Sequence, residues 1–333
     1  MKGNLQKALL AAALIAALVS MPRLFSMDYY LHIFVMSEIY AVLALSLSLL
    51  VGFTGQVSMG HAAFYGMGAY TSAILSIRLG LSFWVTFWVA GIFAGLAAFI
   101  IGKLVLRLRG HVLAITTAFF GVLVAVVMNN WIPVTNGPMG ITGIPRPSPF
   151  SFLGLNIVLE SRTDYYFLGL VFVAGVLYFL WRIENSRIGD AMIAVRENEE
   201  LAASIGIDTM KSKVLAFTIA GALAGLAGAF YAHYILFISP VTFTINESIN
   251  ILVMVIFGGM STLFGPVLGA ICLTVLPELL RMAGELRLVI YGVALVFFII
   301  KMPMGVWGTF RDRLINYRKK MTPHRGPGGR LPF

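Results

Sequence analysis

Long apolar runs separated by short polar segments make up most of the chain. A bilayer crossing needs about 20 mostly apolar residues, and runs near this length lie at 8–25, 29–51, 61–78, 82–103, 111–128, 164–182, 214–237, 247–262, 263–280 and 287–302. We therefore predict an all-α, polytopic helical membrane protein with about ten transmembrane spans. The runs at 61–78 and 247–280 are rich in glycine and can be broken or re-entrant, so about eight full crossings is the alternative.

The first apolar run has two interpretations. It follows Lys2 and Lys7, and this arrangement resembles a secretory signal peptide. The Met-Pro-Arg sequence at 21–23 is, however, a poor cleavage site for a signal peptidase. We therefore expect 8–25 to remain as an uncleaved first span.

The composition agrees with a membrane protein. Of the 333 residues, 59% are hydrophobic and 11% are charged, and the mean hydropathy is +0.91. A soluble protein of this size cannot hide so much apolar surface. The formal net charge is +10, but the Lys and Arg residues lie in short loops and in the tail, which indicates membrane topology rather than nucleic-acid binding.

The basic residues also predict which segments face the cytoplasm. With ten spans and the N-terminus inside, the inner segments 1–7, 103–111, 182–213 and 301–333 hold 18 of the 24 Lys and Arg residues. This bias predicts that both termini are cytoplasmic.

The same topology divides the chain. Residues 1–302 are predicted to form one transmembrane domain, and 303–333 a basic, disordered cytoplasmic tail. The longest outer segment, 129–163, contains five prolines and four glycines, and it is either a ledge for an external protein or an ordinary connection.

The segment 182–213 is the longest charged interruption before the tail. It contains five Lys or Arg residues and six acids. Ser186 is a candidate N-cap of a first short helix. The apolar stripe predicted for that helix is Ile188, Met192 and Val195.

A second short helix is predicted in the same segment. Asn198 is its candidate N-cap, Glu199 and Glu200 lie in its first turn, where the helix dipole favours anions, and Gly206 follows its end. Amphipathic helices between spans pack on the membrane surface or dock a soluble partner. We favour a docking surface for a cytoplasmic partner.

Glycines and polar residues interrupt the membrane-embedded sequence at two places, near 52–61 and near 258–262. Polar groups at such depth must be buried in protein or line a wet cavity, and paired breaks can mark a transport route. The candidate residues of a translocation path are Gly55, Gln56, Ser58, Gly60, His61, Gly258 and Gly259. The alternative is a tight helix–loop–helix corner whose side chains bond their own backbone.

Isolated ionisable residues also occur in or near the spans. Glu38 interrupts an apolar run, and it is either functional or a neutral, hydrogen-bonded acid. For His32, His111 and His233, near span ends, we expect polar tips that face the lipid headgroups.

Several kinds of chemistry have no signature here. The chain has no G-x-x-x-x-G-K-[ST] phosphate loop, no G-x-S-x-G elbow and no H-E-x-x-H motif. One cysteine and five scattered histidines give no metal-ligand spacing. We therefore predict no catalytic residues, no metal site and no cofactor bound by this chain, which leaves a transporter in need of an external energy source.

Three motifs point to a known family. They are LVGFTGQVSMGHAAFYGMGAY at 50–70, NSRIGDAMIAVRENEELAASIGID at 185–208 with its continuation KSKVLAFTIAGALAGLAGAFYAH at 211–233, and VIFGGMSTLFGPVLGA at 255–270. The chain thereby resembles the permease subunits of bacterial ABC importers for branched-chain amino acids, and the LivM type more closely than its LivH partner. The resemblance covers most of 40–300.

The resemblance implies a complex in the bacterial inner membrane. This permease would pair with a homologous LivH-like permease and bind two cytoplasmic ABC ATPase subunits, which use the ATP. A periplasmic or lipid-anchored binding protein would deliver leucine, isoleucine or valine.

The resemblance also implies a coupling site. The loop is similar to the E-A-A-x-x-x-G signature of ABC permeases, although Leu201 stands where the first Ala would be. The residues that would couple to the ATPase are Arg196, Glu199, Glu200, Ala202 and Gly206.

Two other functions remain open. Related permeases carry urea, short amides, other amino acids or aromatic acids with the same architecture. An ion-coupled secondary transporter would instead work without an ATPase, and a membrane-embedded enzyme is disfavoured because no catalytic constellation is visible.

Overall fold

The computed structural model describes residues 19–22, 27–152, 155–157, 159–280, 286–302 and 305–309. The helices in chain order are α1 Asp28–Ser48, α2 His61–Leu79, α3 Phe83–Val105, α4 Gly110–Asn130, α5 Ile132–Thr135, α6 Arg162–Glu184, α7 Arg187–Glu197, α8 Glu199–Ser204, α9 Thr209–Ile235, α10 Ile245–Gly258, α11 Phe264–Leu279 and α12 Arg287–Lys301. Most of the predicted span 8–25 lies outside the described residues, as does the tail apart from the helical residues 305–309.

The long apolar helices confirm a polytopic helical membrane protein. Within the described ranges, five are long and apolar enough to cross a bilayer, namely α1 with its π-helical extension to Thr54, α3, α4, α6 and α9. Helix α2 is an unbroken 19 residues. Helices α10 and α11 have 14 and 16 residues, so each spans only about 21–24 Å at 1.5 Å per residue.

Small residues bring three helices together at the centre of the bundle. Helix α9 packs on α2 and α3. A side chain at Gly225 would collide with Ala94 of α3, and one at Gly228 would collide with the Tyr65 backbone of α2. Because no side chain separates the backbones there, dispersion contacts between them are dense.

Helix α10 begins inside the bundle rather than at its end. After α9, strand β4 (Phe237–Ile238) pairs with β1 (Ile141–Thr142), and a 3₁₀ turn at Pro240–Phe243 follows. The Phe243 ring lies 5.0 Å from the Tyr65 ring of α2, measured between centroids. The non-helical segment before α10 therefore descends along α2.

Two small sheets refine the all-α prediction. Besides β1–β4, an antiparallel hairpin joins β2 (Phe150–Phe152) to β3 (Leu155–Ile157). Strands of two or three residues are too short to give a readable alternation in sequence. Three of these four strands lie in the segment 129–163, for which the sequence left open a ledge for an external protein or an ordinary connection.

The prediction for His233 is wrong. This residue is 1% exposed, not directed at headgroups. Its Nε2 lies 2.9 Å from Ser72 Oγ and its Nδ1 lies 2.7 Å from the Pro145 carbonyl oxygen. The segment after β1 covers the end of α9, so this histidine is enclosed by protein.

Candidate functional site

The two short helices of the charged loop form as predicted. The Ser186 hydroxyl accepts from the Gly189 amide at 3.3 Å. Asn198 Oδ1 accepts from the amides of Glu200 and Leu201, each at 3.0 Å. These side chains satisfy amides that would otherwise have no partner at the helix starts.

Gly206 ends α8 in a Schellman motif. Its φ is +89°, its amide donates to the Ala203 carbonyl, and the Ile207 amide donates to the Ala202 carbonyl, both at 3.0 Å. A left-handed residue at this position favours glycine, because a Cβ strains the backbone. The predicted helix end is therefore confirmed.

Helix α7 buries a different face from the one predicted. Met192 and Val195 are buried as expected, but Ile188 is 49% exposed. Gly189 is buried instead, close against the backbone of Glu184. Because Gly189 has no side chain, α7 lies close to the end of α6, and this contact turns Ile188 outward.

Arg196 joins the loop to the membrane bundle. Its Nη1 donates to the Gly52 carbonyl at 2.5 Å, and its Nη2 pairs with Glu197 at 2.5 Å. Gly52 lies in the π-helical extension of α1, and Gly55, with φ +70°, follows it against the Arg196 side chain. The charged loop and residues 52–61, which we call the polar corner, are thus in direct contact.

Glu199 is the centre of an ionic cluster. It pairs with Lys213 of α9 at 2.5 Å and with Arg109, between α3 and α4, at 3.3 Å. Partial burial alone would raise the pKa of Glu199, but the hydrogen bond and charge of Lys213, with the charge of Arg109, hold this pKa below its ordinary value. Sequence reasoning missed both cations. The sequence did offer one signal for the Arg109 contact, because the predicted topology placed 103–111 and 182–213 on the same side of the membrane.

One side of α8 is apolar and exposed. Leu201 is 64% exposed and Ile205, four residues on, is 75% exposed, whereas Ala202 is 2% exposed. The side chain of Glu200 is 86% exposed. We call Leu201 and Ile205 the α8 apolar patch. Its members were not among the predicted coupling residues, although their i, i+4 spacing is readable in the sequence.

The candidate path residues are mostly enclosed in the described conformation. Gly55 is exposed, and the others are buried, namely Gln56, Ser58, Gly60, His61, Gly258 and Gly259. His61 Nε2 lies 2.7 Å from Ser46 Oγ, and the Gly60 amide donates to Ser58 Oγ at 3.4 Å. Contacts of this kind are those expected of a helix–loop–helix corner.

Two polar atoms in the corner have no partner in the described part of the chain. They are Gln56 Oε1 and His61 Nδ1. No group of three or more His, Cys, Asp or Glu residues that could hold a metal ion occurs among the residues described.

These features define a class of protein, a polytopic helical membrane protein whose charged loop is clamped onto a polar corner and presents an apolar patch. The family described as "Branched-chain amino acid transport system / permease component" matches residues 29–299. The chain belongs to this family, and it is therefore a permease subunit of a transport system.

Individual relatives agree with the family. The chain is 36% identical over 327 residues to the high-affinity branched-chain amino acid transport system permease protein LivM of Escherichia coli K12, which covers 93% of this chain and 76% of that protein. It is 24% identical over 293 residues to the ribose import permease protein RbsC of Escherichia coli K12, covering 84% and 86%. It is 22% identical over 284 residues to LivH of Salmonella typhimurium, covering 81% and 91%. No solved structure gives a significant match.

Proposed function

We propose that this protein is the LivM-like permease of an ATP-driven importer that brings leucine, isoleucine and valine into the bacterial cytoplasm. It lies in the inner membrane and pairs with a homologous LivH-like permease. Two cytoplasmic ABC ATPase subunits supply the ATP hydrolysis, and this chain binds no cofactor of its own. A periplasmic or lipid-anchored binding protein delivers the cargo. The observation that carries the proposal is the α8 apolar patch on a loop tied to the polar corner.

The ATPase docks on α7 and α8. Apolar side chains exposed to water four residues apart are typical of a helix that binds a groove on a partner. Leu201 and Ile205 supply the apolar contact, and the exposed Glu200 beside them supplies charge at its edge.

Movement of the docked helices passes into the bundle by two routes. Arg196 holds the Gly52 carbonyl, next to Gly55 and the rest of the polar corner. Glu199 holds Lys213 of α9 and Arg109 between α3 and α4. A short helix fastened to several spans acts as a lever, because displacing it displaces all of them.

The transmembrane topology has ten crossings with both termini in the cytoplasm. The segment from β4 through α10 supplies one crossing, although α10 alone is too short, because Phe243 before α10 packs on Gly66 and Met260 after it lies against Gly52. The excess of Lys and Arg in the segments on the α7–α8 side places that side in the cytoplasm.

We propose that the candidate residues line a path that opens during transport. The unpartnered atoms Gln56 Oε1 and His61 Nδ1 support this role. Burying a polar atom without a partner costs free energy, and a second state that gives the atom a partner relieves that cost. Gly60, Gly258 and Gly259 lie at close backbone contacts that can slide without side-chain clashes, and Ser58 Oγ accepts a hydrogen bond from the Gly60 amide.

The names of the relatives support the assignment of the cargo. LivM of Escherichia coli is named for branched-chain amino acids, and a more distant relative is named for ribose import. The chain is more similar to the former, which supports an amino-acid cargo. Urea, short amides, other amino acids and aromatic acids are the alternatives within the same architecture.

The test is transport by the complete complex in proteoliposomes. We expect uptake of labelled leucine that requires ATP, the binding protein and both permeases, and that persists when ionophores collapse ion gradients. Labelled ribose and urea should not enter. Uptake driven by an ion gradient without nucleotide would instead identify an ion-coupled transporter, and uptake of another cargo would overturn the substrate assignment alone.

A further inference from the structure

The outward side of helix α10 carries polar side chains together with Ile249, which is 40% exposed. Asn246 is exposed, and Glu247 and Asn250 are half-buried. Asn246 and Asn250 are four residues apart, so they lie one above the other on the same face. We call Asn246, Glu247 and Asn250 the polar side of α10.

The outward faces of α3 and α4 are apolar. On α4, Phe119 is 69% exposed and Leu123 is 60% exposed, and on α3, Ile92 is 63% exposed. Such faces suit lipid chains. The polar side of α10 does not, because hydrocarbon offers no hydrogen bonds to amide or carboxylate groups.

The polar side of α10 lies at a depth where lipid would otherwise surround it. Ser248 Oγ accepts from the Ala62 amide at 2.9 Å, which sets the first turn of α10 beside the first turn of α2. The neighbouring Gly60 packs on α4 at Thr117, seven residues inside that 21-residue helix. These polar groups therefore need water or protein beside them.

Glu247 has one carboxylate oxygen to spare. Its carboxylate lies close to the side chain of Tyr40 of α1. Its Oε1 is buried and has no hydrogen-bond partner among the described residues. A carboxyl oxygen without a partner can accept a hydrogen bond, so it suits a cationic donor such as an ammonium group, which carries three N–H bonds.

We propose that the polar side of α10 lines the water-filled route of the cargo, and that Glu247 receives the ammonium group of a zwitterionic amino acid as it passes. This inference rests on the proposed function, because it takes an amino acid as the cargo. It adds three residues that neither the sequence motifs nor the family match assigns. Asn246 and Asn250 keep the route wet, and Tyr40 orients the carboxylate.

Thiol labelling tests the wet route. In a Cys272→Ala background, since Cys272 is exposed, Asn246→Cys and Asn250→Cys are labelled with a charged, membrane-impermeant methanethiosulfonate in the complete complex. Phe119→Cys is the matched control, because Phe119 is exposed on the apolar face of α4 at the depth of Gly60. We expect labelling at least about tenfold faster at the two α10 positions, since the reagent needs water. Equally slow labelling at all three positions, as in lipid or in a dry contact with the second permease, overturns the route.

Charge removal tests the role of Glu247. Glu247→Gln should lower ATP-dependent leucine uptake about tenfold while ATP hydrolysis by the complex persists, because one charge-assisted hydrogen bond to cargo is lost. Glu247→Asp should restore part of the uptake. The control is Glu38→Gln, since Glu38 is also buried in α1 with both oxygens unpartnered in the described residues but faces Gly169 of α6. Uptake by Glu38→Gln should be near wild type.

Failure of the inference differs from failure of the proposed function. If the wild-type complex does not take up leucine, the proposed function fails. If the wild-type complex takes up leucine and Glu247→Gln does so equally well, Glu247 does not meet the cargo. If Glu247→Gln assembles poorly and uptake per assembled complex is normal, the residue is structural and the inference is likewise overturned.

Discussion

The α8 apolar patch and the polar side of α10 are both exposed to surroundings that do not suit them. Leu201 and Ile205 expose apolar groups at the end of the bundle that carries the charged loop, where water is expected. Asn246 and Asn250 expose polar groups along a helix that runs inside the bundle. Each mismatch costs free energy unless something covers it. We therefore propose a different partner for each, a protein groove for the first surface and a wet cargo route for the second.

The polar corner lies between the two surfaces. Arg196 of the charged loop donates to Gly52 at one end of the corner, and at the other end Ala62, the residue after His61, donates to Ser248 of α10. Displacing the loop therefore moves backbone that touches the helix bearing Glu247. We propose that this arrangement connects ATP hydrolysis to cargo movement without a separate relay.

The largest expected effect comes from a charge in the α8 apolar patch. Leu201→Asp should abolish ATPase docking and lower uptake about 30-fold or more, since an apolar hot spot contributes about 2 kcal/mol. The helix itself should persist, because an acid in its first turn suits the dipole. Co-purification of the ATPase measures docking. Val241→Asp, at a position 76% exposed after β4, is the control and should leave docking intact.

Removing the Glu199 charge tests the clamp beneath that patch. Glu199→Gln leaves Lys213, whose side chain is 6% exposed, without its ion pair, and unfolding should become easier by about 1–3 kcal/mol. Glu200→Gln is the matched control, because that side chain is 86% exposed and 3.9 Å from Arg109, so its effect should stay below about 0.5 kcal/mol. Thermal unfolding of the purified permease measures both, and equal losses in the two variants would rule out a clamp centred on Glu199.

A strained turn after α8 should weaken coupling without removing the patch. Gly206→Val forces a β-branched residue to φ +89°, a strain of about 1–3 kcal/mol. We expect ATP hydrolysis to persist while leucine uptake per ATP falls several-fold. The measurement is the ratio of the leucine uptake rate to the ATP hydrolysis rate in the same complex. Gly80→Val carries similar strain at φ +63° at the far end of α2. If both variants lost coupling alike, the defect would come from general instability.

The smallest expected effect is a pH dependence of the clamp. The pKa of Glu199 is lowered from its ordinary value of 4.5, so its folded form favours the charged state. The stability that it contributes is then fully present above about pH 4.5 and is lost as the pH falls through the lowered pKa. The difference in unfolding temperature between wild type and Glu199→Gln should be constant from pH 7 to about pH 5 and shrink below it. A difference that grows on acidification would contradict this sign.

Local signals in the sequence predicted the charged loop well. Helix-capping contacts reach only three or four residues along the chain. The capping roles of Ser186, Asn198 and Gly206 can therefore be predicted without knowledge of the fold. The resemblance to a permease family likewise came from contiguous motifs and is confirmed by the family match.

Features that depend on distant contacts were not predicted. Ile188 turns outward because Gly189 packs on the end of α6, and His233 is enclosed because the segment at Pro145 covers it. The Glu199 cluster joins α8 to α9 and to the connection between α3 and α4. The polar side of α10 is notable only because of its depth in the bundle. That depth depends on the path of the segment before Phe243, which the sequence does not reveal.

Site-specific crosslinking determines directly whether an ATPase subunit binds α8. A photoreactive amino acid replaces Leu201 in the complete complex, and the same group at Val241, beyond the far end of α9, serves as the reference. We expect a crosslink from position 201 to the ATPase subunit, with a yield that changes when nucleotide binds, and none from position 241. Attachment of position 201 to lipid alone, while the complex hydrolyses ATP and imports leucine, would contradict this expectation.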